Sequence, residues 1–197
     1  MRTLSAACLA AALLPCDSLA QTKPPGRDYA ATYRVETEGR AAEMRVFYSA
    51  ATRRQRVEMA DAGMAMINDQ AAGRVLILNE PARMVVEMPL AAAQDQPMLA
   101  VPEDMALTRT GTGAVAGHGC TLFRATQAGQ DRGTVCVTDD GILLSGDFRQ
   151  GNRRGRLEAT SLTLARQPAS LFEPPEGWQM MQFPQAGQPQ GQRRMQR

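Results

Sequence analysis

The sequence is short of the residues on which most enzyme chemistry depends. Its 197 residues include one His (His118), one Lys (Lys23) and one Trp (Trp178). Chemistry that needs several imidazoles or a lysine nucleophile is therefore nearly excluded. A zinc site needs about four ligands, and one His cannot anchor it. There is no Gly-rich phosphate loop, no G-x-S-x-G elbow and no carboxylate pair with supporting context. Asp139-Asp140-Gly141 lacks the spaced acidic ligands of a calcium loop and reads as a turn. An excess of one charge is also missing. The 22 basic and 20 acidic residues leave a net charge of +2, which argues against nucleic acid as a partner. Beyond residue 20, no apolar run approaches the roughly 20 residues of a helical membrane span. No internal repeat stands out.

What is present is enough apolar sequence to build a core: 44% apolar and 21% charged residues. This fits one domain, or at most two small ones. Residues 1–20 read as a secretory signal peptide: Arg2, an uncharged apolar stretch over residues 4–14, then Ser18-Leu19-Ala20 before the expected cleavage after Ala20. The competing reading is lipid attachment at Cys16, but Pro15 directly before it makes a poor match. Export changes how the cysteines are read. Cys8 and Cys16 leave with the leader, and Cys120 and Cys136 remain as an even pair in an oxidising, periplasmic compartment. A hairpin turning at residues 127–130 and centred on Ala128 sets Cys120 opposite Cys136, so a structural disulfide is expected. The alternative, a redox or nucleophilic cysteine, lacks C-x-x-C spacing.

Residues 21–27 form a short polar lead. From Asp28 the apolar positions recur every second residue, the period of a strand. Extended segments are expected at residues 29–35, 44–48, 53–59, 64–68, 74–79 and 83–88. They resume at 107–110, 120–126, 133–138, 142–149 and 156–165. Strands at this short spacing imply an antiparallel meander. Between the two runs, Ala- and Leu-rich sequence broken by Pro97 and Pro102 suggests one or two short helical turns. Residues 179–197 are Gln-rich and are expected to form a disordered tail.

The 12 Met residues need an explanation. Eight fall between Met44 and Met105, in the front strands and the helical segment. Met fills irregular apolar space and is common on adaptable binding surfaces. The alternating pattern proposes Met44, Val46, Met64 and Met66 as an inward-facing apolar set. Met84, Met88, Leu90 and Leu99 extend it. The readings are plain core packing, a deformable apolar ligand cavity, or a Cu(I) site at Met64 and Met66, whose thioethers share a strand face. Arg53, Arg54 and Arg56, and later Arg153, Arg154 and Arg156, read as solvated strand faces, with anionic lipid headgroups as the functional alternative. His118 between turn glycines reads as a strand-end residue.

The succession of features resembles a known family. An Arg-rich third strand is followed by Ala114-Val115-Ala116-Gly117-His118-Gly119-Cys120. Asp140-Gly141-Ile142-Leu143-Leu144 comes next. Ser170-Leu171-Phe172-Glu173-Pro174-Pro175-Glu176-Gly177-Trp178 ends the series. Over residues 29–178 this resembles exported bacterial proteins of a domain-of-unknown-function family, themselves similar to the outer-membrane lipoprotein carrier. The resemblance implies a mainly β domain: a strongly curved antiparallel half-barrel with one or two short helices as a lid. In the carrier the concave apolar face holds acyl chains. Here residues 21–27 are too short and Pro-rich for the carrier's first helix, so residues 90–101 or a partner must cover that face. The expectation is a periplasmic domain over residues 28–178 that binds an apolar or lipidic ligand, free or as an acylated protein, without catalysis or cofactor. A role as a structural or interaction protein of the envelope, touching a membrane surface or a protein partner, is the alternative.

Overall fold

A computed structural model describes residues 24–93, 105–150 and 153–182. Residues 1–20, read as a signal peptide, together with Leu99 and residues 183–197, lie outside the described residues. The first six strands are β1 (Tyr29–Thr37), β2 (Arg40–Ser49), β3 (Arg54–Met59), β4 (Met64–Asp69), β5 (Arg74–Asn79) and β6 (Met84–Pro89). After the 3-10 turn Leu90–Ala93 come β7 (Ala106–Val115), β8 (His118–Gln127), β9 (Gln130–Val137), β10 (Leu143–Gln150) and β11 (Arg153–Thr163). Two more 3-10 turns are described, Ala60–Ala62 between β3 and β4 and Ala169–Phe172 before β12 (Gln179–Gln182).

All twelve strands form one sheet in the order β12-β6-β5-β4-β3-β2-β1-β11-β10-β9-β8-β7. Apart from β12 it consists of two antiparallel meanders joined at the β1–β11 seam, and it does not close into a barrel. Two contacts demonstrate its curvature. The Tyr33 hydroxyl of β1 donates to the Leu143 carbonyl of β10 at 2.7 Å, reaching over β11. His118 Nε2 of β8 lies 3.3 Å from the Leu162 carbonyl of β11, three strands away. In a flat sheet those strands would be about 14 Å apart.

Three hairpins turn on two residues with positive φ: Glu38-Gly39, Ala116-Gly117 and Ala128-Gly129. Positive φ at both central residues gives the turn a twist that matches the flanking strands. The disulfide between Cys120 and Cys136 is present, but the expected register is corrected. Cys136 is the Cα partner of Leu122, and the bridge runs diagonally. The turn lies between Ala128 and Gly129, and the register then shifts at Ala125/Thr126, leaving Arg132 as the extra residue. The shift sets Arg124 opposite Thr134 and removes the Arg124–Arg132 opposition that the simple hairpin implies.

The expected lid begins with the 3-10 turn Leu90–Ala93, and residues 94–104 lie outside the described residues. One further expectation changes. The Gln-rich segment begins as structure: Gln179–Gln182 pairs in parallel with β6 along Met84–Glu87. Its backbone N–H and C=O groups gain ladder partners that its composition does not advertise.

The C-terminal segment straps the back of the sheet. Arg56 donates to the Leu171 carbonyl at 3.2 Å. The Asp28 carboxylate accepts the backbone N–H groups of Ala50 and Gln167. Trp178 packs on a back-face cluster of Ala65, Ile67, Leu76, Leu78 and Val85. Strands β4 and β5 are thus covered on both faces, which explains why Val75-Leu76-Ile77-Leu78 reads as a continuous apolar run.

Candidate functional site: the methionine-lined face

The pairing register sets the expected apolar residues on one face. One row runs Ala31, Val46, Val57, Met66, Ile77, Val86 across β1 to β6. Toward one rim lies Met59, Met64, Asn79, Met84, and toward the other Tyr29, Tyr48, Gln55, Asn68, Val75, Met88. Met44 joins the same face opposite Tyr33. Six of the eight expected residues, Met44, Val46, Met64, Met66, Met84 and Met88, share this face by register; Leu90 follows in the 3-10 turn, and Leu99 lies outside the described residues.

Their environments differ. Met44 and Val46 lie inside the main core, which joins β1, β2 and β3 to β8–β11 through Tyr33, Val135, Leu144 and Leu157. These side chains fill the space there. Met66 is also buried, but in a separate cluster with Val75 and Ala93, flanked by half-buried Ile77, Met88 and Leu90. Met84 is half-buried and Met64 is 37% exposed. The two thioethers named for copper are thus one buried and one open. No group of three or more His, Cys, Asp or Glu able to hold a metal occurs among the described residues.

Sequence reasoning missed the polar groups on this face. Asn68 is buried, its Nδ2 donates to Gln55 Oε1 at 3.4 Å, and its Oδ1 has no partner. Asn68 read as the start of a turn because Asp69 and Gly73 follow it. Tyr29 stacks on Tyr48 with ring centroids 5.6 Å apart. Burial pushes the phenols of Tyr29, Tyr33 and Tyr48 above their ordinary value of 10.0; at Tyr29 a hydrogen bond donated by the Gln55 amide to the phenol oxygen partly offsets the effect. The unfolded chain therefore loses its phenolic protons first. The stabilisation is complete below about pH 10 and is lost as pH rises above it. The urea midpoint is expected to fall steeply from about pH 9.5 upward, in step with the phenolate absorption band.

The back-face arginines have internal partners. Arg54 Nε lies 3.0 Å from Asp69 Oδ2, and Arg56 Nε lies 2.7 Å from Glu58 Oε1. Arg74 bridges Asp69 and Glu87 at 3.8 and 3.3 Å. This cluster ties β3 to β4 and β5 to β6 and leaves little of its charge for an external headgroup.

Comparison with known proteins agrees with this sheet. The profile of the family described as "Domain of unknown function (DUF4412)" matches residues 31–150, from β1 to the end of β10. The chain belongs to the DUF4412 family. Among solved structures, MucB is similar over 80% of this chain at 16% identity, with a TM-score of 0.58. This chain spans 61% of the length of MucB. An uncharacterised conserved protein from Thermus thermophilus is similar over 80% of this chain and 91% of its own, at 15% identity and a TM-score of 0.57. MucB in complex with MucA(peri) gives 20% identity and a TM-score of 0.52, covering 78% of this chain and 56% of that one. A LolA superfamily protein from Nitrosomonas europaea covers 77% of this chain and 92% of its own at 9% identity, with a TM-score of 0.42. At these identities the likeness describes the fold. No curated protein matches the chain.

Proposed function

We propose that this DUF4412 protein is a non-catalytic, periplasmic binding module that takes an apolar or lipid-like ligand against the front face of β4–β6. The observation that carries this reading is the division of the front face. Met66, Val75 and Ala93 form a cluster apart from the main core. Half-buried Met88 and Leu90 flank it, and half-open Met64 and Met84 rim it. Thioether side chains repack at little cost around an apolar guest. The Cys120–Cys136 disulfide supports an oxidising compartment, as does the leader read in residues 1–20.

The exported protein is expected to co-purify with a lipid visible by native mass spectrometry and to bind an apolar fluorescent probe. Met88→Glu places a carboxylate on the half-buried rim of the cluster and is expected to weaken probe binding at least about tenfold, because burying a charge costs several kcal/mol. A wild-type protein that carries no lipid and binds no probe overturns the proposal. So does a Met88→Glu variant with unchanged affinity.

A second reading, an envelope protein that docks a polypeptide, is favoured by one feature. Met180 and Met181 are each 51% exposed on β12, a strand at the end of the sheet with one edge unpaired among the described residues. Such an edge accepts an added strand.

A further inference from the structure

The side of β1 that faces away from the core carries a charged cleft that the apolar reading leaves unused. Arg34 and Glu36 alternate with Tyr33 and Val35 and point into it. The cleft has a volume of about 850 Å³, within the ~300–1,000 Å³ of small-molecule sites. Six arginines line it: Arg34, Arg40, Arg124, Arg149, Arg154 and Arg156. Four carboxylates line it too: three have a direct partner, and Asp147 only faces Arg156 across the ladder. Arg34 holds Glu36 at 2.8 Å. Asp131 accepts the Gly133 N–H at 2.9 Å. Asp147 is the direct cross-strand partner of Arg156, and Glu38 also has a partner. Arg156 itself bonds to Glu158 at 2.5 Å.

This leaves Arg40, Arg124, Arg149 and Arg154, all exposed and without an ion pair among the described residues. Two of them are set against each other, since Arg149 on β10 is the Cα partner of Arg154 on β11. Like charges directly opposite destabilise a sheet, and an anion between them would remove that cost. Phe148 sits beside the pair, 38% exposed. Its ring lies over Gly146, where an added Cβ would stand 2.5 Å from the ring, so it occupies the face opposite the Arg149 side chain.

We propose that this cleft binds a phosphate monoester or similar multiply charged phosphate, with Arg149 and Arg154 as the principal donors and Arg40 and Arg124 at the rim. A carboxylate carries one charge and two acceptor oxygens. A phosphate carries nearly two charges and three oxygens, and its geometry suits several guanidinium forks at once. The site is independent of the methionine-lined face.

Two probes separate the sources of such a phosphate. Inorganic pyrophosphate, followed by calorimetry, reports a soluble ligand. Phosphatidylcholine vesicles with and without phosphatidic acid, followed by flotation, report a lipid headgroup. The wild-type protein is expected to bind at least one, with affinity falling as salt rises. The Arg149→Gln/Arg154→Gln variant is expected to weaken that binding at least about tenfold. Its melting temperature should be unchanged or higher, because a like-charge pair has been removed. A purely structural role for the two arginines would lower it. Binding of pyrophosphate supports a soluble phosphate, and binding only to phosphatidic acid vesicles supports a headgroup. Binding of neither by the wild type, or equal binding by wild type and double variant, overturns the proposal.

Discussion

Gly133→Ala is expected to destabilise the domain by at least about 4 kcal/mol and to move most of the expressed protein into the insoluble fraction. Gly133 closes the β8–β9 irregularity with φ of +119°, a conformation that side-chain-bearing residues rarely adopt. Space is as prohibitive as conformation. A Cβ there would lie 1.7 Å from the Asp147 carbonyl oxygen and 2.8 Å from its carbon. Both are backbone atoms of β10, so no side-chain rotation relieves the overlap. Either β10 moves away from β9, breaking the pairing that runs from Leu143 to Phe148, or the bulge is rebuilt. The first option also disturbs β11, through which this half of the sheet joins β1. Gly119→Ala in β8 is the control. Nothing lies within 4 Å of its added Cβ, so its unfolding free energy from urea titration should stay within about 0.5 kcal/mol of wild type. A soluble Gly133→Ala protein with a wild-type midpoint would refute the account.

The strand pattern was legible because one face of each meander is buried, and burial of one face forces alternation. Tyr29, Ala31 and Tyr33, or Met44, Val46 and Tyr48, declare their strands without knowledge of their partners. Arg74–Asn79 has the expected bounds. Alternation fails where both faces are covered, or neither. In β7 the stretch Gly111 to Val115 falls outside the expected segments, yet it pairs with Leu122–His118 because backbone hydrogen bonds do not need large side chains. Gln179–Gln182 is exposed throughout and carries no apolar period, so its pairing with β6 is a consequence of where Trp178 anchors the chain.

The candidate site was legible to the same degree and for the same reason. Parity placed Met44, Val46, Met64, Met66, Met84 and Met88 on one side. Parity cannot say that the β8–β11 half folds over Met44 and Val46 and fills the space above them. That depends on the β1–β11 pairing, between residues more than 100 apart in sequence. The buried amide of Asn68 was hidden because a polar residue beside Asp69 looks like a turn. The charged cleft needed the register as well. Arg149 and Arg154 become a like-charge pair only when β10 and β11 are aligned, and the uncommitted guanidiniums are recognised only after the ion pairs are counted.

Loss of the disulfide is expected to have the second-largest effect. The bridge closes a loop with a sequence separation of 16. In the chain-entropy view a loop of this size contributes about 3 kcal/mol by restricting the unfolded chain. For a domain of this length that corresponds to a fall in melting temperature of roughly 6–12 °C in the Cys120→Ala/Cys136→Ala variant. The native geometry adds a kinetic expectation. Cys136 is 1% exposed and Cys120 6% exposed. Cys136 Sγ lies 3.5 Å from where a Gly113 Cβ would stand, so β7 closes over the sulfur. A thiol reductant must reach a sulfur atom to attack it, and the strand blocks that approach until the hairpin opens. Reduction of the folded protein should therefore be slow, and it should accelerate sharply when low concentrations of urea loosen the β7–β8 edge. Fast reduction in the absence of denaturant would instead mark an exchange-competent redox pair. Thiol trapping over a time course, with and without urea, decides between a structural staple and a working disulfide.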